Sequence, residues 1–426
     1  MASIGARLTN VITMMIATSI AARGMTKEEF GLWTILVSFM YISLNFDLGF
    51  RFGLGNRLAA QVALAGGTTN QKQKELYLAI FFLQIGICVL GIVVGFVLMN
   101  VIPWQSTLKI HQLDLAANVN VIILFVTCFL LMNLSLSLVS SGFFAYQEVN
   151  LYCYLNAGQS IVQLIVFWIS SFVFHFNGAI ICYFFTPLIT GIACMALFFH
   201  RREWKLSWIR LDIIKKHVRS LANRSFEFFI LSLSASIIAV VSTILAGSVA
   251  GLSAAGDFDL VRKIFNFLVT GHLALLAPLA PVYTRAAQLG DWDWVKRKYS
   301  FCKRIVWPAI FMGGAGLIYI FHPILLKVWS GRNLRNYSLA GLLALLAILN
   351  GWGNTQSVLL NSLGLVKWQA IASITMAPLF IFLPLYLGKN GNVMGVAAGT
   401  LLCMIPGTII WPIYASYALK KKLLRV

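Results

Sequence analysis

Residues 28–59 read EEFGLWTILVSFMYISLNFDLGFRFGLGNRLA. From Phe30 to Gly55 the stretch is long and apolar enough to cross about 30 Å of hydrocarbon, yet it holds Asp47 and Arg51, four residues apart. Each is costly in lipid, and at that spacing on a helix each lowers the cost of the other. A spanning helix that keeps such a pair is a candidate functional element, and the rest of the chain has the same character. Of its 426 residues 59% are hydrophobic and only 11% charged, with a mean hydropathy of +0.84. A soluble globular fold does not carry that much apolar surface, so a polytopic membrane protein is expected.

Apolar runs able to span occur near 4–22, 30–55, 77–100, 117–140, 151–173, 177–199, 225–249, 257–283, 303–321, 338–362, 366–387 and 391–416. They predict about twelve helices and an all-α fold. MASIGARLTN leads into the first run without the small-residue cleavage site and polar continuation of a cleaved signal peptide.

The net charge of +20 is explained by topology rather than nucleic acid. With the N-terminus in the cytoplasm, 23 Lys and Arg fall on inner segments and 7 on outer ones. This bias places both termini inside. The longest polar connection, HRREWKLSWIRLDIIKKHVRS (200–220), separates six runs from six. Trp204, Trp208, Leu211, Ile214 and Val218 make a stripe at helical spacing opposite Lys205, Arg210, Lys216 and Arg219, which predicts an amphipathic helix on the inner leaflet. The expected organisation is an N-terminal bundle (1–199), a basic amphipathic linker (200–221) and a C-terminal bundle (222–426).

The halves repeat. A shift of 228 residues places Phe30 on Phe258, Leu32 on Leu260, Phe39 on Phe267, Leu48 on Leu276, Arg57 on Arg285 and Ala59 on Ala287, with Glu29 on Asp257. Six helices return the chain to the same side, so the two bundles are expected to be pseudo-symmetric about an axis along the membrane normal, around a central cavity. That is the architecture of an alternating-access carrier.

Charged residues within the spans are mostly basic. Arg23 ends the first run, Asp47 and Arg51 lie in the second, and GDFDLVRKIFNF (256–267) opens the eighth with Asp259, Arg262 and Lys263. Glu227 is a further acid, with Arg224 beside it. A cationic path suits an anionic substrate, because guanidinium groups pair bidentately with phosphate or carboxylate. His272, near the middle of the eighth run, is a candidate proton carrier. Asn350, Asn354, Gln356 and Asn361 in the tenth run and Asn156, Gln159 and Gln163 in the fifth either hold helices together or line a wet cavity that binds sugar hydroxyls, and Gly49 and Gly53 form a GxxxG pair suited to close helix packing. The seven cysteines show no CxxC or metal-ligand spacing, and no GxxxxGK[ST] loop is present. No loop is long enough for a folded catalytic domain, and the longest outer loop (100–116) has Asp114 as its one acid.

The opening stretch, with its E-F-G-L-W start, D-L-G turn of helix and G-x-x-N-R-L-A end, resembles the first hairpin of bacterial polysaccharide flippases of the Wzx type, O-antigen flippases among them, in the multidrug/oligosaccharidyl-lipid/polysaccharide exporter superfamily. In weaker form the resemblance covers all twelve helices, including the basic linker, the D-F-D-L start of helix 8 and Asn361-x-x-Gly364. It implies a carrier, not an enzyme, that needs no cofactor and flips undecaprenyl-pyrophosphate-linked oligosaccharide from the cytoplasmic to the periplasmic leaflet of the inner membrane. H+ or Na+ coupling through His272 or Asp259, and work alongside polymerase and chain-length proteins of lipopolysaccharide or related surface-glycan synthesis, would fit it. Arg23, Asp47, Arg51, Arg262 and Lys263 are the substrate-site candidates. The alternatives are a cation-coupled small-molecule or multidrug exporter of the same fold and, behind it, a membrane glycosyltransferase or polymerase. Such exporters typically bind cations with an acid in the first helix, which this chain lacks.

Overall fold

The computed structural model describes residues 2–43, 47–64, 70–205, 211–276, 278–365 and 367–423, and within them every regular element is helical. The chain forms two compact units, Met1–Ser236 and Ile237–Val426.

Unit 1 contains six spans: α1 (Ala2–Gly24), α2 (Lys27–Ser43) continued by α3 (Phe50–Leu64), α4 (Gln71–Val101), α6 (Leu113–Leu136) continued by α7 (Val139–Ala145), α8 (Val149–Val173) and α9 (His175–His200). A short helix, α5 (Trp104–Thr107), lies in the loop after α4. Helix α10 (Leu211–Ala250) holds the unit boundary within it. Its far end opens unit 2, which continues with α11 (Leu252–Leu276) and α12 (Leu279–Gln288). A third span follows from α13 (Trp292–Phe301) through wide π-helical turns into α14 (Gly314–Ser330). The unit closes with α15 (Tyr337–Ser362), α16 (Lys367–Met376) with α17 (Leu379–Leu387), and α18 (Val393–Leu423). This is an all-α membrane fold with about twelve spans.

The two units pack internally in the same way. In unit 1 the second span meets the fourth (α2 on α6), the third meets the fourth (α4 on α6), and the sixth covers the fourth and fifth (α9 on α6 and α8). Unit 2 repeats this with α11 on α15, α14 on α15, and α18 on α15 and α17. The sequence repeat is therefore also a repeat of packing.

Among the described residues eight helices are long and apolar enough to cross a bilayer. The spans that fall short are the first two of each unit, which carry the polar and charged residues singled out above. Lipid is no worse a solvent for Leu than protein is, so association there rests on close packing and hydrogen bonds. Close packing is clearest between α17 and α18. A Cβ at Gly395 would lie 1.9 Å from the Leu387 carbonyl oxygen, and one at Gly399 would lie 2.6 Å from the Pro384 Cα. Gly395 and Gly399 thus form a GxxxG pair that serves packing.

Gly49 has another use. The second apolar run was read as one helix, but its described residues are helical to Ser43 and again from Phe50, with Asp47, Leu48 and Gly49 in a turn before the restart. Leu48 (φ 52°) and Gly49 (φ 75°) turn through left-handed backbone, which Gly tolerates without cost. The equivalent span of unit 2 breaks at the repeat-equivalent place, between α11 and α12. Pro278 does the work there, since it lacks an N–H and suits a helix start.

The predicted stripe on the linker also changes. Residues 206–210 lie outside those described. Trp204 precedes α10 and is buried among Tyr77, Phe198 and Phe199 in the unit 1 core.

Candidate functional site

In unit 1, Asp47 is buried at the restart of the second span. Its carboxylate accepts hydrogen bonds from the backbone N–H groups of Gly49 (2.9 Å) and Arg51 (3.2 Å), so it caps α3 and complements that helix's positive end. The Arg51 side chain approaches it only to 3.8 Å and is about a quarter exposed. Ser141 on α7 donates to the Arg51 carbonyl at 2.7 Å, which fixes the backbone of this turn. Asp47 was expected mid-helix as a side-chain partner; its stronger bonds are to the backbone. Arg23 is exposed in the last turn of α1, and α2, roughly 25 Å long, separates it in the chain from this turn.

Deeper in unit 1, α1, α2, α8 and α9 enclose a cavity of about 140 Å³ that reaches Asn10, Thr13, Tyr41, Ser160 and Gln163. Asn10 donates to Asn156 and accepts from Ser160, both at 2.7 Å, and Gln163 donates to the Tyr183 carbonyl at 3.0 Å. Amides here both join helices and line a cavity. Among the described residues its lining contains no carboxylate or basic side chain.

In unit 2 the charges are closely gathered. Asp259 is buried on α11, and its two oxygens serve two cations. Oδ1 receives Arg262 Nη2 at 2.6 Å and Oδ2 receives Lys263 Nζ at 2.8 Å. Thr243 on α10 donates to Oδ1 at 3.3 Å. The i, i+3 and i, i+4 spacing brings both cations over one carboxylate, and the cluster carries one positive charge in excess. Two residues before Asp259, Asp257 pairs with Arg332 at 3.5 Å.

His272 is fully buried further along α11. Its Nε2 lies 3.4 Å from the Thr355 hydroxyl and its ring stands edge-on to Phe311 at 5.1 Å. Among the described residues its Nδ1 has no hydrogen-bond partner. Phe311 lies in the π-helical turn Ala309–Gly313, next to Pro308. A wide turn accommodates a mid-helix proline and marks many functional sites. The structure does not bring His272 together with Asp259, since 13 residues of helix, about 20 Å, separate them.

A third cluster escaped sequence reading. Glu148, between α7 and α8, binds Arg202 at 2.8 Å and Arg201 at 3.2 Å. The buried Arg202 guanidinium lies 4.1 Å from the ring centres of both Tyr146 and Phe198. Burial alone would raise the Glu148 carboxyl pKa, but the hydrogen bonds and charges of Arg202 and Arg201 outweigh it and hold the group below its usual range. Arg202 looked like one more basic loop residue, and the lone acid between two apolar runs was the available signal. The side chain of Glu227 lies outside the described residues.

Residues 2–285 match the family described as polysaccharide biosynthesis protein. The chain belongs to that family. A comparison with curated proteins finds no match. Among solved structures, it is similar to a multidrug resistance MATE family transporter of the MOP superfamily in an inward-facing conformation, with 16% identity, 98% of this chain and 99% of that one covered, and a TM-score of 0.68. A Vibrio cholerae MATE transporter gives 17% identity, coverage of 98% and 96%, and a TM-score of 0.65. A Pyrococcus furiosus MOP superfamily transporter, described by the reverse polarity of its binding pocket, gives 16%, 98% and 97%, and 0.56. At these identities the likeness establishes the fold. Family and fold together make this chain a multi-pass membrane protein of polysaccharide biosynthesis with the fold of the transporters it resembles.

Proposed function

We propose that this protein flips undecaprenyl-pyrophosphate-linked oligosaccharide repeat units from the cytoplasmic to the periplasmic leaflet of a bacterial inner membrane by alternating access. Both termini lie in the cytoplasm, residues 200–221 link the two bundles on that side, and polymerase and chain-length proteins consume the product. The observation that carries the reading is the buried Asp259 shared by Arg262 and Lys263, a site with excess positive charge inside a spanning helix. Pyrophosphate is an acceptor that such a site can hold and still release, because Asp259 competes for both cations. Arg51 serves as a second anion contact at the opposite end of the equivalent span, and Arg23 as a rim contact.

The cavity of unit 1 supports the same choice. An exporter of organic cations needs an acid in its binding site, whereas this lining offers neutral amides and hydroxyls suited to sugars. His272 is the residue through which H+ coupling would act.

The test is sidedness-resolved transport in proteoliposomes. A lipid-pyrophosphate-linked oligosaccharide in one leaflet should appear in the other with wild type, and about tenfold more slowly with Lys263→Met or Arg51→Ala, a loss of about 1.4 kcal/mol of barrier lowering. Absence of flipping, together with proton- or sodium-driven movement of a small organic cation, would overturn the proposal in favour of the multidrug-exporter reading.

A further inference from the structure

The equivalent ends of the two units are built alike but filled differently. In unit 1 the fourth span ends in a turn where Glu148 N–H bonds to the Phe143 carbonyl at 2.8 Å. In unit 2 the fourth span ends in the same turn, with Leu365 N–H on the Leu360 carbonyl at 2.9 Å. Beside the unit 1 turn, the chain leaves α9, folds back through Arg201–Glu203, and inserts Trp204 against Tyr77, Phe198 and Phe199. Arg202 closes the gap over Tyr146 and Phe198. That end is solid.

In unit 2 the sixth span, α18, runs on as helix to Leu423. It gives Ala415 and Leu419 to the core, where unit 1 uses large rings. A cavity of about 590 Å³ remains between the ends of α12, α15 and α18, within the size range of small-molecule sites. Trp292, Tyr414 and Tyr417 supply its aromatic surface, and Thr284, Gln288 and Ser362 its polar groups. Among the described residues its lining has no carboxylate, ammonium, guanidinium or imidazole group.

We infer that this pocket is a saccharide subsite, in which a neutral pyranose ring of the transported glycan takes the place that Trp204 takes in unit 1. An aromatic face offers a sugar's C–H face a packing partner, and hydroxyl and amide groups at the edge meet its hydroxyls. Among the described residues of its lining no cation is offered to a phosphate. The pyrophosphate therefore goes to the Asp259–Arg262–Lys263 cluster and the glycan end to this pocket. The inference rests on the flippase reading, of which it names the sugar-recognising part.

The experiment uses the full chain, purified in detergent, and saturation-transfer NMR with methyl glycosides of glucose, galactose, mannose and N-acetylglucosamine. At least one should bind wild type. Tyr414→Ala and Ala418→Trp, the second plugging the cavity as Trp204 plugs unit 1, should each weaken that binding about tenfold at an unchanged melting temperature. Flipping of the matching lipid-linked oligosaccharide should slow with them, while a lipid-linked substrate bearing one sugar should be less affected. If no glycoside binds at tens of millimolar, or both variants bind as wild type does, the subsite is wrong. Wild type would then still flip lipid-linked oligosaccharide, which separates this failure from failure of the flippase reading. Binding of phosphatidylglycerol vesicles in place of glycosides, lost in the same variants, would also overturn it.

Discussion

The most informative perturbation is Asp259→Asn. The change keeps shape and removes charge. An asparagine can still turn one oxygen toward Arg262 or Lys263, but its amide N–H group then faces the other cation, donor against donor. Both cations presently bond to this carboxylate, at 2.6 and 2.8 Å, and the residue is 2% exposed. Removing one partner of a buried pair costs about 3–5 kcal/mol. At roughly 2 °C per kcal/mol for a chain of this size, the apparent melting temperature in detergent should fall by about 6–10 °C. Lys263→Met should behave differently. Arg262 and Thr243 still satisfy Asp259, and a buried ammonium has been removed, so the expected cost is about 0–2 kcal/mol. The double variant Asp259→Asn/Lys263→Met should recover about 2 kcal/mol or more relative to Asp259→Asn alone, the signature of coupling within one cluster. Scanning fluorimetry on matched preparations reads all four proteins. If Lys263→Met is as damaging as Asp259→Asn, or the double variant is no better than the single one, the carboxylate is not the shared counterion and the charge argument fails.

Glu148→Gln should lower the melting temperature above pH 5 by the loss of two charge-assisted bonds, about 1–2 kcal/mol for a carboxylate that is a quarter exposed. The folded pKa lies below the usual Glu value of about 4.3. The stabilisation is thus complete above that value and is lost as pH falls through the folded pKa, so wild type should lose more stability than the variant between pH 6 and pH 3. Asp47→Ala removes a helix cap and should cost about 1 kcal/mol, whereas Arg51→Ala should leave stability almost unchanged and slow flipping; equal melting losses in the two would refute this division. Gly395→Ala drives a methyl into the Leu387 carbonyl, a backbone atom 1.9 Å away, and should cost about 1–3 kcal/mol; a neutral result by fluorimetry would mean that α17 and α18 do not approach this closely.

The membrane class, the number of spans and the six-plus-six division were legible because they follow from composition and run length. Repetition was legible from a few matched residues, and the packing now accounts for them: Leu48 and Leu276 both sit where the second span of a unit breaks. The break itself was not legible, because the apolar run passes through it unchanged and the decisive quantity is backbone conformation at Leu48 and Gly49. Proximity along the chain revealed the Asp259 cluster, since all three members lie within one turn of α11. The same reading placed Asp47 with the Arg51 side chain and missed that the nearer donors are backbone N–H groups freed by the restart of α3. Arg202 could not be found this way, since its partners Glu148, Tyr146 and Phe198 come from separate elements. Trp204 fitted a helical stripe by spacing alone, and the aromatic core of unit 1 drew it in.

The distribution of polarity has a physical consequence for how such a protein can evolve and fail. Eight helices satisfy the bilayer by being apolar, and their outward side chains (Val89, Val93 and Val97 on α4, Leu317, Ile320 and Ile324 on α14) are interchangeable with other apolar ones. The first two spans of each unit hold their place with caps, amide pairs and shared charges instead: Asp47 on the start of α3, Asn10 on Asn156, Asp259 on Arg262 and Lys263. Those bonds are directional, so a substitution there disturbs position as well as stability. The groups that hold these spans are also the ones a charged, sugar-bearing substrate would meet. A screen for stabilising substitutions should therefore find more neutral ones at the outward apolar positions of the eight apolar helices than at the bonded positions of the other four.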